Sequence, residues 1–272
     1  MKSHPGADLS PIVVQDLSAQ YRAKGRVGGY ALRGVTFEVR AGEVLGILGE
    51  SGGGKSTLAR ILAGELERKG PGGFDIRISG GDAFVNGVAL RTISQSKRNR
   101  LTFHTAYLPQ DANDRLERSS TVAELIQQPI FARDKRFDAQ SAQNRALTVL
   151  DAVGLPLAVM DKYPYELSDG QRQRVAFARA LVLGPNVLIA DEPTAGIDVT
   201  VRDTVLRVIT RLRQDPKFAG IVITHDLAVL QQLGAKVAVV HDGVIVGYGK
   251  IDEVFGNPEH AYVARLAKAL GI

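Results

Sequence analysis

Apolar residues recur along the chain in two rhythms, which predict strands and helices in alternation. Val35, Phe37 and Val39 alternate with polar residues, the period-two pattern of a half-buried strand. Continuous apolar runs, typical of fully buried strands, follow at 187–190, 220–224 and 236–240. A helical repeat at 227–233 separates the last two runs. This order of strand, helix and strand predicts a mostly parallel sheet covered by helices, so the expected fold class is α/β.

A helical segment interrupts the α/β pattern. Within it, apolar residues such as Val122, Leu125 and Ile126 recur at three- and four-residue spacing. Near the N-terminus, short strand patterns and the turn pair Asn86-Gly87 predict an antiparallel β piece. We therefore expect an α/β core at 10–111 and 166–250, an inserted helical subdomain at 112–165 and a C-terminal helical tail at 251–272.

The apolar run Val44–Leu48 leads directly into a glycine-rich loop. Residues 49–57 match the P-loop pattern G-x-x-x-x-G-K-[ST] and open a predicted helix. Glycines let backbone N–H groups approach phosphate oxygens, Lys55 brings positive charge to the β- and γ-phosphates, and the Ser56 hydroxyl can complete a magnesium shell. We therefore predict a RecA-like P-loop NTPase core. Its nucleotide contacts are expected at Glu50, Ser51, Gly52, Gly53, Gly54, Lys55, Ser56 and Thr57.

Two adjacent acids end the buried strand predicted at 187–190. Asp191 comes at the carboxyl end of a strand expected beside the P-loop strand, where it can hold magnesium through water. Glu192, one residue later, can polarise the water that attacks the γ-phosphate. A strand that ends in two acids is common by itself. Together with the P-loop it predicts triphosphate hydrolysis, with Lys55 and Glu192 as catalytic groups.

Composition narrows the class of protein. The 272 residues include no cysteine, which excludes disulfides, thiolate metal sites and iron–sulfur clusters and fits a reducing cytoplasm. Since no apolar run reaches the roughly 18 residues that cross a bilayer, and the first residues lack the apolar stretch of a secretory signal, we expect a soluble chain. The net charge of +5 is scattered apart from a solvated cluster at 97–100, and aromatic residues make up 6% of the chain. We therefore expect no nucleic-acid partner.

The segment Leu167–Gln171 indicates a narrower class of protein within the P-loop NTPases. Together with the helix pattern Q-R-Q-R-V-A-F-A-R-A-L that follows Gly170, it resembles the LSGGQ signature of ATP-binding-cassette (ABC) ATPases. Ser168 suits an N-cap, and a helix N-terminus at this point can receive phosphate.

The resemblance extends over nearly the whole chain and implies roles for further residues. Tyr30 is a weaker candidate than Tyr21 for stacking on adenine. By resemblance, Tyr21 stacks on adenine, and Gln110 is a magnesium ligand at the hinge to the helical insertion. Asp198 contacts the opposite protomer, and His225 is the catalytic switch histidine that contacts the γ-phosphate.

In ABC proteins a second cassette, arranged head to tail, supplies its signature loop across the γ-phosphate. The resemblance therefore implies a dimer of this chain with itself or with a related subunit. Ser168, Gly170 and Gln171 are then expected to bind the nucleotide held by the partner.

Two positions depart from the family pattern. Gly53 replaces a usual serine, which we expect to be mild because the loop acts through its backbone. Asp169 replaces the first signature glycine. At a separation of about 5 Å and low effective dielectric, its charge would repel a γ-phosphate by a few kcal/mol, unless the side chain points away along its helix.

Within the family, several stretches resemble the ATPases of dipeptide, oligopeptide and nickel importers. They lie at 43–52, 163–168, 190–201 and 257–262. This resemblance implies ATP and Mg²⁺ as cofactors, transmembrane permease subunits that insert a coupling helix against 112–165, and a peripheral position on the cytoplasmic face of the membrane. Substrate would be captured by an extracytoplasmic binding protein that does not contact this chain. Peptide, nickel and metallophore remain open as substrates.

Other cassettes give the alternatives. An accessory ATPase that docks on a soluble enzyme complex, as in the carbon–phosphorus lyase system, resembles the same subfamily, and the partner of the 112–165 surface distinguishes the two. DNA-repair and translation cassettes have long coiled coils or two cassettes in one chain, and neither pattern occurs in this sequence. A P-loop kinase or GTPase leaves both the signature segment and His225 unexplained.

Overall fold

The computed structural model describes residues 10–23, 26–69 and 73–272, with the backbone alone at 23, 26, 27, 199 and 200. The strands are β1 (Ile12–Ala23), β2 (Arg26–Val39), β3 (Val44–Gly49), β4 (Glu67–Arg68), β5 (Phe74–Val85), β6 (Val88–Ala89), β7 (Thr105–Leu108), β8 (Val187–Asp191), β9 (Ala219–Ile223), β10 (Lys236–His241) and β11 (Val244–Lys250). The helices are α1 (Lys55–Leu62), α2 (Gln95–His104), α3 (Val122–Phe131), α4 (Ala139–Ala152), α5 (Asp169–Leu181), α6 (Val199–Leu212), α7 (Leu227–Gln232), α8 (Ile251–Gly256) and α9 (Ala261–Leu270).

A mixed sheet with the order β11-β10-β3-β9-β8-β7 forms the centre of the molecule. Its strands run parallel except for the antiparallel edge strand β11. Both faces are covered, so β3, β8 and β9 are continuous apolar runs instead of alternating, apart from Asp191 at the end of β8. Because the carboxyl ends of parallel strands meet at one edge, the loops after β3, β8 and β9 come together there.

A second, antiparallel sheet covers one face of the central sheet. Its order is β2-β1-β5-β4, and β6 pairs with β5 across a turn at Asn86-Gly87, where both residues have positive φ. Leu45 and Ile47 of β3 point toward this sheet and share an apolar cluster with Leu17 and Ile61. Helix α1, which follows the P-loop, is therefore enclosed between the sheets. The predicted α/β class with an N-terminal antiparallel piece is confirmed.

Helices cover the opposite face. Val44 and Leu48 of β3 belong to this second apolar cluster, which extends through α3, α4 and α5 and onward to α6, α7 and α9. Helix α3 begins with a capping box in which Thr121 and Glu124 bond each other's backbone N–H groups. Helices α3 and α4 lie inside the predicted insertion 112–165, and we propose those bounds for the helical subdomain.

The C-terminal segment packs on the edge of the central sheet. Val254 and Phe255 of α8 and Val263 and Ala267 of α9 are buried in the same cluster as β10. Residues 251–272, which we propose as a C-terminal helical tail, thus share the core of the cassette. Among the described residues, no helix combines the length and the apolar character that a membrane span requires.

Candidate nucleotide site

The P-loop backbone lies tightly between two neighbouring strands. Gly49 and Gly54 have φ of 148° and 101°. A Cβ on Gly49 would lie 2.0 Å from the Val240 carbonyl oxygen, and one on Gly54 would lie 2.3 Å from the Ala31 carbonyl oxygen. Glycine is therefore required at both positions for packing as well as for conformation.

Lys55 lies inside the loop that it follows. Its Nζ donates hydrogen bonds to the Gly49 and Glu50 carbonyl oxygens, at 2.8 and 2.6 Å. Burial lowers the pKa of Lys55, and the carboxylates of Asp191, Glu192 and Glu50 act against that decrease. The ammonium group is thus held at the mouth of the loop, where a phosphate can replace the backbone carbonyls as its partner.

Asp191 and Ser56 form an oxygen-rich pair that suits a divalent cation. Asp191 is 3% exposed, and its Oδ2 has no hydrogen-bond partner among the described residues. Burial raises the pKa of Asp191, while a hydrogen bond from Ser56 acts to lower it. Gln110 lines the same cleft. Carboxylate, hydroxyl and amide oxygens are ligands that Mg²⁺ accepts, so these residues fit the cation.

Glu192 and His225 are in direct contact. Glu192 Oε1 lies 2.8 Å from His225 Nδ1, and Glu192 Oε2 lies 3.4 Å from the buried Thr224 hydroxyl. The Glu192 side chain is 14% exposed and that of His225 is 83% exposed. A largely buried carboxylate beside an accessible imidazole can orient and deprotonate a water molecule in the cleft.

A cleft of about 640 Å³ joins these groups. The two candidate adenine-stacking residues, Tyr21 and Tyr30, both line it. The Tyr21 hydroxyl lies 2.9 Å from Thr57 Oγ1 and accepts a hydrogen bond from Arg60 at 3.0 Å. Of the predicted site residues, the cleft brings together Tyr21, Ser51, Gly52, Gly54, Lys55, Ser56, Thr57, Gln110, Asp191, Glu192 and His225.

Two predicted P-loop contacts do not line the cleft. The Glu50 carboxylate faces His241 instead, with Oε1 2.7 Å from Nδ1. The Gly53 carbonyl accepts a hydrogen bond from the Gly243 backbone at 3.1 Å. Sequence reasoning missed Gly29 and Ala31, which line the cleft beside Tyr30. They have no motif, and the pairing of β2 with β1 places them there.

The signature segment lies outside this cleft. Ser168 caps α5, its Oγ accepting from the Gln171 backbone at 3.3 Å while Gln171 Oε1 accepts from the Ser168 backbone at 2.9 Å. A Cβ on Gly170 would lie 3.0 Å from the Gly196 carbonyl oxygen, so the signature packs against the loop that leads to Asp198. The chain therefore does not bring Ser168, Gly170, Gln171 or Asp198 to its own nucleotide site.

Asp169 points along its helix. Its carboxylate forms an ion pair with Arg172, which also donates to the Leu167 carbonyl at 2.6 Å. The Asp169 side chain thus points away along its helix, which is the case in which strong repulsion of a γ-phosphate is not expected.

Comparisons with known proteins agree with this geometry. The family model for ABC transporters matches residues 32–195, more than half of the chain. The oligopeptide transport ATP-binding protein OppF of Lactococcus lactis subsp. lactis is 34% identical over 88% of this chain and 72% of its own length. The oligopeptide transport ATP-binding protein AmiE of Streptococcus pneumoniae is 35% identical over 95% of this chain and 72% of its own.

Further matches differ in how much of the other protein they cover. The glutathione import ATP-binding protein GsiA of Escherichia coli is 34% identical over 89% of this chain but only 37% of its own. CbiO1 of Clostridium perfringens, described as part of an ABC transporter complex, superimposes with a TM-score of 0.74 at 26% identity over 97% of this chain and all of its own.

A second solved structure supports the fold alone. The ATP-binding cassette MJ0796, in a dimeric post-hydrolysis state with ADP and phosphate, superimposes with a TM-score of 0.77 at 24% identity. The match covers 88% of this chain and 98% of that one. Taken with the P-loop, Asp191–Glu192 and the signature segment, the family match assigns the protein: it belongs to the ABC transporter family as one of its ATP-binding, ATP-hydrolysing cassettes.

Proposed function

We propose that this chain powers the import of peptide-type substrates by hydrolysing ATP beneath a membrane permease. The relatives are named for oligopeptide transport and glutathione import, and both substrates are peptides. These names favour the import subunit over the accessory ATPase of a soluble enzyme. The chain would then lie peripherally on the cytoplasmic face of the membrane.

At the nucleotide, the site residues divide the work. Lys55 and the loop amides bind the phosphates. Ser56, Asp191 and Gln110 would hold Mg²⁺, which would supply positive charge that neutralises the phosphates. Glu192 takes a proton from the attacking water, and His225 keeps the Glu192 carboxylate oriented and contacts the γ-phosphate. A second cassette, identical or related, covers the side of the γ-phosphate that the P-loop leaves exposed. It does so with its signature residues Ser168 and Gly170.

The observation that carries the import proposal is a groove of about 690 Å³ between the core and the helical region. We call it the helical groove. It is lined by β7, by parts of α3 and α5, and by charged residues of both signs, namely Glu65, Asp111, Asp114, Arg68, Arg115, Arg133 and Arg179. Tyr107, Pro109, Asp111 and Asp114 line both this groove and a smaller cavity that contains Gln110 and Asp191. A helix inserted from a permease would therefore rest on the segment that positions Gln110.

The charge of the helical groove indicates the chemistry of the inserted helix. Arg133 and Arg179 line the groove, and among the described residues neither lies within ion-pair distance of a carboxylate. Burial lowers the pKa of both guanidinium groups. Both donate to uncharged groups, Arg133 to the Thr102 carbonyl and Arg179 to Gln128 Oε1, each at 2.7 Å. A carboxylate on the entering helix would supply an ionic partner, so we expect an acidic coupling segment.

A tagged pull-down from detergent-solubilised membranes, run beside one from the soluble fraction, tests the proposal. We expect multi-spanning permease subunits in the first, at several-fold lower yield with Arg133→Ala and at unchanged yield with the exposed control Arg207→Ala. Vesicles that contain the recovered complex and its binding protein should take up labelled oligopeptide when ATP is supplied. Recovery of soluble enzyme subunits alone would move the function to the accessory ATPase.

A further inference from the structure

A contact between the C-terminal part of the chain and the P-loop is not explained by nucleotide binding. His241 ends β10, one residue after Val240, which is in register with Gly49 of the P-loop strand. Its Nδ1 lies 2.7 Å from Glu50 Oε1, at an angle that does not make a hydrogen bond. The contact is therefore ionic when the imidazole is protonated and a close polar contact otherwise.

Helix α9 completes this contact. The Tyr262 ring stacks on His241 with centroids 4.2 Å apart and planes 11° from parallel. Burial raises the pKa of Tyr262, the Glu50 charge adds to the increase, and a hydrogen bond with the Glu50 backbone acts against it. Tyr262 thus touches the imidazole with its ring and the P-loop backbone with its hydroxyl. His260, the N-cap of α9, fixes the start of that helix by accepting from the Tyr262 backbone at 3.1 Å.

Glu50 connects this cluster to the groups that bind phosphate. Its carbonyl oxygen accepts hydrogen bonds from Lys55 Nζ at 2.6 Å and from the Gly53 backbone at 3.2 Å. The turn after His241 adds a backbone contact, because Gly243 donates to the Gly53 carbonyl at 3.1 Å. A shift of Glu50 would therefore move both the carbonyl that orients Lys55 and the turn of the loop.

We propose that His241 and Tyr262 are positioning residues that hold the P-loop in its nucleotide-binding shape through Glu50. We call Glu50, His241 and Tyr262 the P-loop brace. A loop that is already ordered loses less conformational entropy when ATP binds, so the brace raises affinity without touching the nucleotide. The C-terminal helix α9 is thereby a determinant of ATP affinity, and a displacement of α9 lowers that affinity.

Binding of a fluorescent ADP analogue with Mg²⁺ to the purified full-length chain tests the brace. We expect His241→Ala and Tyr262→Ala each to raise the Kd, and the KM for ATP, on the order of five- to tenfold, with kcat within about twofold of wild type. Tyr262→Phe keeps the stacked ring and loses the hydroxyl, so its Kd should lie between. These readouts use the isolated chain, so their failure is independent of the import proposal.

A matched control separates positioning from stability. Tyr248 on β11 is also a half-exposed tyrosine at this edge, but its hydroxyl donates to the Glu38 carbonyl, away from the P-loop. Tyr248→Ala should lower Tm without changing the Kd. The proposal is overturned if the brace variants lower Tm while the Kd stays at the wild-type value, or if Tyr248→Ala raises the Kd equally. Should Tyr262→Ala not fold, Tyr262→Phe and His241→Ala decide by the same Kd criterion.

Discussion

Glu192 occupies a backbone conformation that few residues other than glycine adopt. Its φ is 55°, in the left-handed region. The surroundings fix this geometry, because its N–H donates to the Ile223 carbonyl at 2.8 Å and its carbonyl accepts from Gln173 Nε2 at 3.2 Å. Strain of this kind costs of order 1–3 kcal/mol and persists where neighbours over-determine it. Here it directs the carboxylate toward His225 and the open end of the cleft.

Replacing Glu192 with glutamine keeps the shape of the side chain and removes the proposed base. We expect Glu192→Gln to bind ATP with near-wild-type affinity and to hydrolyse it on the order of 10²–10⁴ times more slowly. Phosphate release and labelled-ATP binding measure the two quantities. Glu67→Gln, on the exposed strand β4, is the control and should turn over normally. Turnover of Glu192→Gln near the wild-type rate would refute the assigned base.

Asp169 illustrates how a neighbour changes the effect of a charge. From the sequence its carboxylate is expected to repel a γ-phosphate, but Arg172 forms an ion pair with it one turn along α5. A carboxylate in the first turn of a helix is also favoured by the helix dipole. The pair is exposed on the Asp169 side, so its own contribution to stability is small. The pair is expected to act instead on dimerisation, through the charge that it presents to the γ-phosphate of the nucleotide held by the partner.

This pairing predicts that the effect of Asp169→Gly on dimer affinity depends on whether Arg172 is present. Since Arg172 offsets the charge, Asp169→Gly should raise ATP-driven dimer affinity only slightly. Arg172→Ala leaves the carboxylate unpaired and should weaken dimerisation several-fold, at a cost of about 1 kcal/mol, and Asp169→Gly in that background should restore it. Sedimentation with a non-hydrolysable ATP analogue measures all four chains. An Arg172→Ala defect that Asp169→Gly does not relieve would trace instead to the lost bond to Leu167.

At the scale of elements, an ion pair joins α6 to the loop that contains His225, the proposed switch histidine. Arg202, in the first turns of α6, pairs with Asp226, which caps α7 directly after His225. Gln232 of α7 also donates to Asp203 of α6 at 3.1 Å. The loop that leads to Asp198 and the loop that holds His225 are therefore tied together, so a partner that moves one should move the other.

Breaking that link should affect chemistry more than binding. We expect Arg202→Ala to lower kcat about three- to tenfold with the nucleotide Kd unchanged, because the P-loop is untouched while His225 loses its support. Arg211→Ala, on an exposed position of the same helix, is the matched control. Steady-state ATP hydrolysis with a parallel Kd measurement decides; an equal loss of affinity would place Arg202 in general folding instead.

Elements with a clear period were predictable, whereas those that depend on tertiary packing were not. The runs at 187–190 and 236–240 are strands because both of their faces are covered. The apolar pattern at Ile12–Val14 marks only the start of β1, since irregular pairing with β2 and positive φ at Asp16 interrupt the alternation. Helix α2 was missed because its exposed faces are polar and only Leu101 is buried.

The nucleotide site likewise has residues that could be predicted from the sequence and residues that could not. Lys55, Asp191 and Glu192 follow from short motifs whose spacing is fixed by one strand and one loop. The P-loop brace could not be predicted, because Glu50, His241 and Tyr262 are far apart in the sequence and meet only through the register of β10 with β3 and the packing of α9. The place of the signature segment outside the chain's own cleft likewise depends on the whole fold.

At the scale of the whole molecule, that separation predicts how two copies must combine. In a head-to-tail dimer each nucleotide site takes its P-loop from one chain and its signature from the other. Lys55→Ala should lose most nucleotide affinity, and Ser168→Arg should bind ATP but block the partner's site. Each variant alone should hydrolyse ATP at a small fraction of the wild-type rate. In a mixed dimer, one site has an intact Lys55 and an intact Ser168.

Mixing the two variants should therefore restore hydrolysis, up to about a quarter of the wild-type rate at a one-to-one ratio, because half of the dimers are mixed and each has one working site. The measurement is phosphate release as the ratio varies. The reference is a mixture of Lys55→Ala with the Tyr248→Ala chain, in which one chain keeps both its P-loop and its signature intact. Restoration that peaks at equal amounts supports the head-to-tail homodimer. If the wild-type chain hydrolyses ATP alone but the mixture stays inactive, the two signatures do not cross between copies and the arrangement is wrong. If the wild-type chain is itself inactive until a related cassette is added, the dimer is a heterodimer. Placing one of the two substitutions in each subunit then identifies which P-loop meets which signature.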